Sequence, residues 1–488
     1  MSTRRVRKLG VAALGSVVLV AVWAISGATC ATSPILPAPN LPAPNHHTLI
    51  FTEILTAGYQ NTDSCLTCHV RQGQEQLASA HWKWKGTSFR IEGHEAGTHG
   101  KVDLINNFCI ALPSNEGRCT QCHIGQGWVD RTFDFTNASK LDCLVCHDTT
   151  GTYAKAQTTG GMPAEGLDLQ EIAKHVGAPG RKNCGACHFY AGGDDNVKHG
   201  DLASVLVNAT YDMDVHMGSV ATGGQDFACQ RCHTTRGHKI AGATALHSDE
   251  GEASCANCHG STNVHTRAVL NLHLNRLACQ TCHIPAFSRQ MATKMEWYWN
   301  EAGQDLADIP LQEGRPTYDK KKGRFVWAKN VRPELKWFNG KYRRVIIGVN
   351  DQYAQTPVVL ADPVGDINDP TAKIHPFKKM IGKQVADPGT QKLLVPHLFG
   401  MKGGPNPYWA KFNWKLAVAE GDAYAKLAVG GQNWVDYSGQ DPIFVDTVMY
   451  LSINHEVAPA SQALDCEDCH AGGIDFTTLG YPGDPWYD

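Results

Sequence analysis

Hydrophobic and polar positions divide the chain into four stretches. An uncharged apolar run from Leu9 to about Ala28 follows a basic head of Arg4, Arg5, Arg7 and Lys8. That order predicts a signal peptide over 1–31. An uncleaved anchor is the alternative, since at about 1.5 Å per helical residue the run nearly spans a hydrocarbon core of about 30 Å. A lipid on Cys30 is disfavoured by Gly27, which stands where a large apolar residue is expected. Residues 32–48 carry LPAPN twice, at Leu36–Asn40 and Leu41–Asn45. Proline blocks helix and sheet, so this stretch predicts a semi-rigid spacer. From 49 to 283 the apolar periodicity is helical but brief, around Gln74–His81, Leu167–His175 and Arg267–Cys279, with glycine and proline between. From 284 to 488 the apolar residues are aromatic, and seven of the twelve tryptophans lie between Pro285 and Leu464. The pattern predicts a mainly α chain with extensive ordered loops and little sheet. The last stretch reads as a cover over the one before it, or as one wall of a substrate channel.

Cysteine changes this picture. Of 18 cysteines, 16 fall into eight C-x-x-C-H motifs. These are Cys65, Cys68, His69; Cys119, Cys122, His123; Cys143, Cys146, His147; Cys184, Cys187, His188; Cys229, Cys232, His233; Cys255, Cys258, His259; Cys279, Cys282, His283; and Cys466, Cys469, His470. C-x-x-C-H is the attachment signature of c-type haem. Two thiols form thioether links to the porphyrin, and the adjacent imidazole reaches iron. Zinc ribbons do not require a histidine after every pair, and a disulfide framework does not require a fixed spacing of two. Eight covalent haems c, each burying a flat apolar face, predict a compact haem-organised fold. Attachment outside the cytoplasm agrees with the leader and predicts a periplasmic or extracytoplasmic protein, tethered to the membrane if the leader stays. The motif spacings are irregular, which excludes a solenoid.

Each haem iron has a second axial position. Fifteen further histidines are available against nine methionines. His81, His199, His216, His238, His247, His265, His273 and His455 lie close to motifs and are the candidates for seven such positions. His94, His99 and His175 are weaker candidates, and His375 and His397 lie in the motif-free stretch. His46 and His47 read as solvated, as do Lys321, Lys322, Arg343 and Arg344. A net charge of -3 gives no reason to expect a nucleic-acid or membrane-surface partner.

The runs INNFCIALPSNEGRCTQCH, LDCLVCHDTTGTYAK, NCGACHF, VKHGD, ACQTCHIP, WFNG, PHLFG and LGYPGDP resemble the octahaem tetrathionate reductase family of c-type cytochromes. The resemblance covers nearly all of the chain after the spacer. It implies seven relay haems with two histidines each, and an active second haem, on Cys119, Cys122 and His123, with a lysine ligand. By motif match that lysine is Lys155. Following His147 by eight residues, Lys155 can equally serve the third haem. To bind iron its amine must be neutral. Cys109 reads as a thiol at the site or as a small buried hydrophobe. Asp148 and Tyr153 are candidates for proton donation or substrate orientation, and Lys198 for attracting an anion.

The expected function is a multi-electron reductase of a small inorganic anion, tetrathionate first. Its electrons would come from a donor protein or a quinol-linked cytochrome. Two rivals stand beside it. One is an electron-transfer cytochrome without catalysis. The other is a nitrite or hydroxylamine reductase, although all eight motifs here end in histidine and none is C-x-x-C-K.

Overall fold

The computed structural model describes residues 46–242, 251, 253–400, 403–431 and 433–486. The leader, Cys30, most of the spacer and His247 lie outside the described residues. Among the described residues no helix is long and apolar enough to cross a membrane.

The expectation of a mainly α chain with little sheet is wrong. The motif-free stretch folds into a nine-stranded mixed sheet. Its strands are β1 (Thr293–Tyr298), β2 (Tyr318–Asp319), β3 (Gly323–Ala328), β4 (Glu334–Phe338), β5 (Tyr342–Arg344), β6 (Val358–Pro363), β7 (Lys373–Asp387), β8 (Lys392–Leu393) and β9 (Ile443–Ser452). They run in the order β5-β6-β9-β7-β1-β3-β2, with β4 and β8 also paired to β7. β7 is the spine. It is antiparallel to β9 from Phe377↔Ser452 to Ala386↔Ile443, and parallel to β1 at Ile381↔Glu296. β3 alternates buried and half-buried positions, as a strand with one covered face does. β7 hides its strand character because His375, Lys378 and Gln384 are buried within it.

The tryptophans form the core on this sheet. Trp297 stacks on Trp299 at 4.9 Å, and Phe325 meets Trp297 edge-on at 5.3 Å, both favoured aromatic geometries. The helix Trp414–Val429 starts at Asn413, whose side chain accepts the Leu416 N–H at 3.1 Å. It lays Ala417, Val418 and Ala425 inward. Gly421 is required where the helix crosses the Val395–Pro396 backbone, since a Cβ would sit 2.1 Å from Val395 O.

The remainder is short helices and loops with three two-stranded sheets. Five motifs lie on helical turns: Leu144–His147, Arg181–His188, Ala256–His259, Cys279–His283 and Cys466–His470. A helical turn places residues three and four apart on one face, so both thiols and the imidazole point the same way.

β7 and β9 also hold the second motif's approach. Asn107 Nδ2 donates to Met380 O at 2.7 Å, and Thr447 Oγ1 donates to Asn107 Oδ1 at 2.7 Å. Gln384 Nε2 donates to Asn106 O at 2.7 Å. Asn115 reaches the other side of the same layer, with Nδ2 donating to Pro396 O at 3.0 Å. These bonds fix the segment 106–115 to the sheet, although the buried Gln384 Oε1 has no hydrogen-bond partner among the described residues.

Candidate haem array and second-motif site

Seven motif histidines each face one other imidazole. Ring centroids are 6.2 Å apart for His69 and His47, 6.5 Å for His147 and His238, and 6.1 Å for His188 and His81. They are 6.1 Å apart for His233 and His455, 5.9 Å for His259 and His216, 6.2 Å for His283 and His265, and 6.4 Å for His470 and His273. A metal–nitrogen bond of about 2 Å on each side, plus about 1.2 Å from nitrogen to ring centre, requires about 6.4 Å. The residues present at these seven motifs therefore fit haem iron held by two histidines.

Six of the candidates, His81, His216, His238, His265, His273 and His455, stand opposite motif histidines. His199 lies beside Lys198 and meets no motif imidazole among the described residues. His47, which reads as solvated in sequence, takes the place opposite His69. It opens the short apolar segment HTLIF, and that start of structure directly after the spacer was the available signal. His94 and His99 pair with each other at 5.7 Å. His397 is held by Ser114 O and Gly404 O at 2.8 and 3.2 Å, and is structural. Replacing His47 with alanine is expected to turn one low-spin haem high-spin with all eight still covalently attached. EPR of the oxidised holoprotein checks this.

Thiols of different motifs also lie against one another: Cys65 with Cys143, Cys122 with Cys187, Cys184 with Cys229, and Cys255 with Cys279. Cys146 is close enough to act on Cys184, Cys258 on Cys232, and Cys466 and Cys469 on Cys282. The attachment points thus form one row in the order first, third, fourth, fifth, sixth, seventh, eighth. The second motif branches from the fourth.

The second motif differs in every respect. His123 has no histidine opposite it among the described residues. Its ring is boxed by Trp82, Trp84, Trp128, Phe133 and Phe135. Gly125 N–H donates to Nδ1 at 3.1 Å, which leaves the proton on Nε2 facing Trp82 O at 2.5 Å. Iron ligation here requires the ring to leave that carbonyl. Burial, with Lys155, His81 and Lys101 nearby, pulls the His123 imidazole down to about 3, so it stays neutral.

Lys155 is engaged with the second-motif loop. Its Nζ donates to His123 O, to Gly125 O at 2.8 Å, and pairs with Asp142 Oδ2 at 3.2 Å. These three acceptors hold Lys155 as an ammonium in this arrangement. Tyr153 OH donates to the same carboxylate at 2.5 Å. Asp148 accepts from Thr150 N, Thr150 Oγ1 and Tyr153 N at 2.8, 2.6 and 3.1 Å, and those bonds hold its carboxyl low. It organises a turn and does not offer a proton. These three residues brace the loop that joins the second and third motifs.

A second lysine, Lys198, lies close enough to Cys122 of the second motif to feel its charge. Its side chain is half-buried. Burial, then Lys101 and Arg344, pull it down to about 8, while Cys109 and Cys122 oppose the shift. It lies 5.2 Å from the Phe108 ring. Lys378, buried on β7, donates to Val197 O at 2.7 Å and Lys198 O at 3.1 Å, which sets this backbone. Arg344, expected to be solvated, is buried, and its Nε has no hydrogen-bond partner among the described residues. Burial pushes the Cys109 thiol up against the pull of Lys101, Lys322 and Lys294. The thiol is therefore protonated and surrounded by cations. Arg344 and Lys101 carried no sequence signal, since each resembles any surface cation until the fold closes over it.

A family model described as bacterial cytochrome c matches residues 294–473. The octahaem cytochrome c of Shewanella oneidensis is similar at 43% identity, covering 88% of this chain and 94% of its own, with a TM-score of 0.79. An uncharacterised protein of Archaeoglobus fulgidus is 22% identical over 243 residues, 40% of this chain and 80% of its own.

Proposed function

This chain belongs to the octahaem cytochromes c, and from that premise we propose that it is an extracytoplasmic reductase of a small inorganic anion, tetrathionate first, acting at the second motif. One observation carries the reading: the second motif alone lacks a facing imidazole among the described residues, and cations surround it instead. When bound, each haem stores and passes one electron, so a row of attachment sites supplies the two or more electrons that such a substrate needs.

The chain's own residues account for binding. Lys101, Lys198 and Arg344 set a positive field beside low-dielectric aromatic side chains, where an anion gains more than it would in water. The unpartnered Arg344 Nε is a donor that an oxyanion can satisfy. Lys198, with its amine lowered to about 8, can pair with an anion as a cation or present a lone pair when neutral. Trp82, Trp84 and Trp128 exclude water. Lys155 fixes the His123 and Gly125 carbonyls, and with them the loop that carries the motif imidazole.

Low-temperature EPR of the oxidised holoprotein tests the reading, before and after tetrathionate and then nitrite. The expected result is a minority signal, distinct from the two-histidine haems, that changes with tetrathionate. A signal that answers to nitrite alone favours the nitrogen substrates. Two-histidine signals alone, together with no turnover of either anion by a reduced-viologen assay, leave electron transfer as the function.

A further inference from the structure

The imidazole nitrogens that face away from the seven paired sites differ in what they touch. Nδ1 of His147 meets Gly177 O at 2.8 Å, Nδ1 of His233 meets Ala241 O at 2.9 Å, and Nδ1 of His273 meets Val269 O at 3.0 Å. These acceptors are neutral carbonyls. His455, the ring opposite His233, meets a carboxylate instead. Its Nδ1 lies 3.1 Å from Asp201 Oδ2. The same oxygen accepts the Asn454 N–H at 2.7 Å and the His455 N–H at 2.9 Å, so the contact is held by the backbone as well.

Three other paired rings lie near carboxylates, but under weaker conditions. Asp214 Oδ1 is 3.9 Å from His216 Nδ1, beyond hydrogen-bond reach. Glu75, 3.1 Å from His238 Nδ1, is shared with Arg71 at 2.9 Å. Asp484, 2.5 Å from His470 Nδ1, is 20% exposed. Asp201 is 1% exposed, and its Oδ1 has no hydrogen-bond partner among the described residues. The buried Lys378 amine, which feels Asp201, is committed to Val197 O, Lys198 O and Thr293 Oγ1. Among the carboxylates within hydrogen-bond distance of a paired ring, water and counter-charge therefore screen Asp201 least.

A carboxylate on the outer nitrogen of a ligating imidazole pushes electron density toward the metal. A buried negative charge nearby also favours the more positive oxidation state. Both effects stabilise ferric over ferrous iron. We infer that Asp201 is a positioning residue that holds the fifth motif at the most negative reduction potential of the array. The inference rests on the reading of His233 and His455 as an axial pair. Because Cys229 adjoins Cys184 and Cys232 adjoins Cys258, the low step lies inside the row, between the fourth and sixth motifs. It separates two pools of higher potential, one of them on the side from which the second motif branches.

The test is a potentiometric titration of the holoprotein followed by EPR and optical spectra. In the native protein the last component to be reduced is expected to show the narrowest spread of g values, as a strongly donating imidazole gives. A last component with an ordinary spread overturns the inference. Asp201→Asn is expected to move that lowest potential upward and widen its g spread while leaving the other potentials in place. Unmoved potentials overturn it. His455→Ala separates the two readings. If no low-spin signal is lost, the axial pair fails. If one is lost while Asp201→Asn moves nothing, only the role of Asp201 fails.

Discussion

Lys198→Met is expected to lower tetrathionate turnover by about 100-fold or more, with eight haems still attached and the thermal midpoint nearly unchanged. Removing one charged group at a reacting centre typically costs about 10²–10³ in rate. Methionine keeps the length and flexibility of the stem and removes only the amine. The backbone does not depend on that side chain, because Lys378 holds Val197 O and Lys198 O and Thr293 Oγ1 donates to Asn196 O at 2.6 Å. Steady-state turnover, the haem stain and a melt on the same sample check the three parts. Full turnover in the variant would remove Lys198 from the site.

Lys155→Met is expected to behave in the opposite order, losing stability first. The Asp142 side chain is 0% exposed and Lys155 is its cation, at 3.2 Å. Breaking a buried pair from one side costs about 3–5 kcal/mol, because the other charge stays buried alone. The carbonyls of His123 and Gly125 lose their donor as well. A fall in melting midpoint on the order of 10 °C follows. Turnover falls with it, since the second-motif loop loses its brace. Adding Asp142→Asn to Lys155→Met is expected to restore much of the stability, and circular dichroism melts of the single and double variants measure it. A Lys155 that bound iron directly would give the reverse result, an intact melt and a changed EPR spectrum.

The two lysines show where sequence reading stops. Both lie within a dozen residues of a C-x-x-C-H motif. Distance along the chain does not tell which amine has its acceptors already filled. The sheet was missed for a related reason. Its spine, KIHPFKKMIGKQVAD, reads as a polar segment with scattered hydrophobes, yet most of it is buried because partners on both sides and the second-motif loop consume its polar groups. Alternation is a reliable sign only when one face stays wet.

The sequence by itself determined the cofactor chemistry, the number of attachment points and six of the seven facing histidines. These depend on local spacing and residue type, which bonding geometry constrains. Only the tertiary structure decided which histidine faces which motif, that His47 is among them, that the second motif has none among the described residues, and that Arg344 and Asp201 are buried. Those facts depend on burial and on contacts between distant segments. A charge acquires its effect from the low dielectric and the unscreened neighbours that the folded chain places around it.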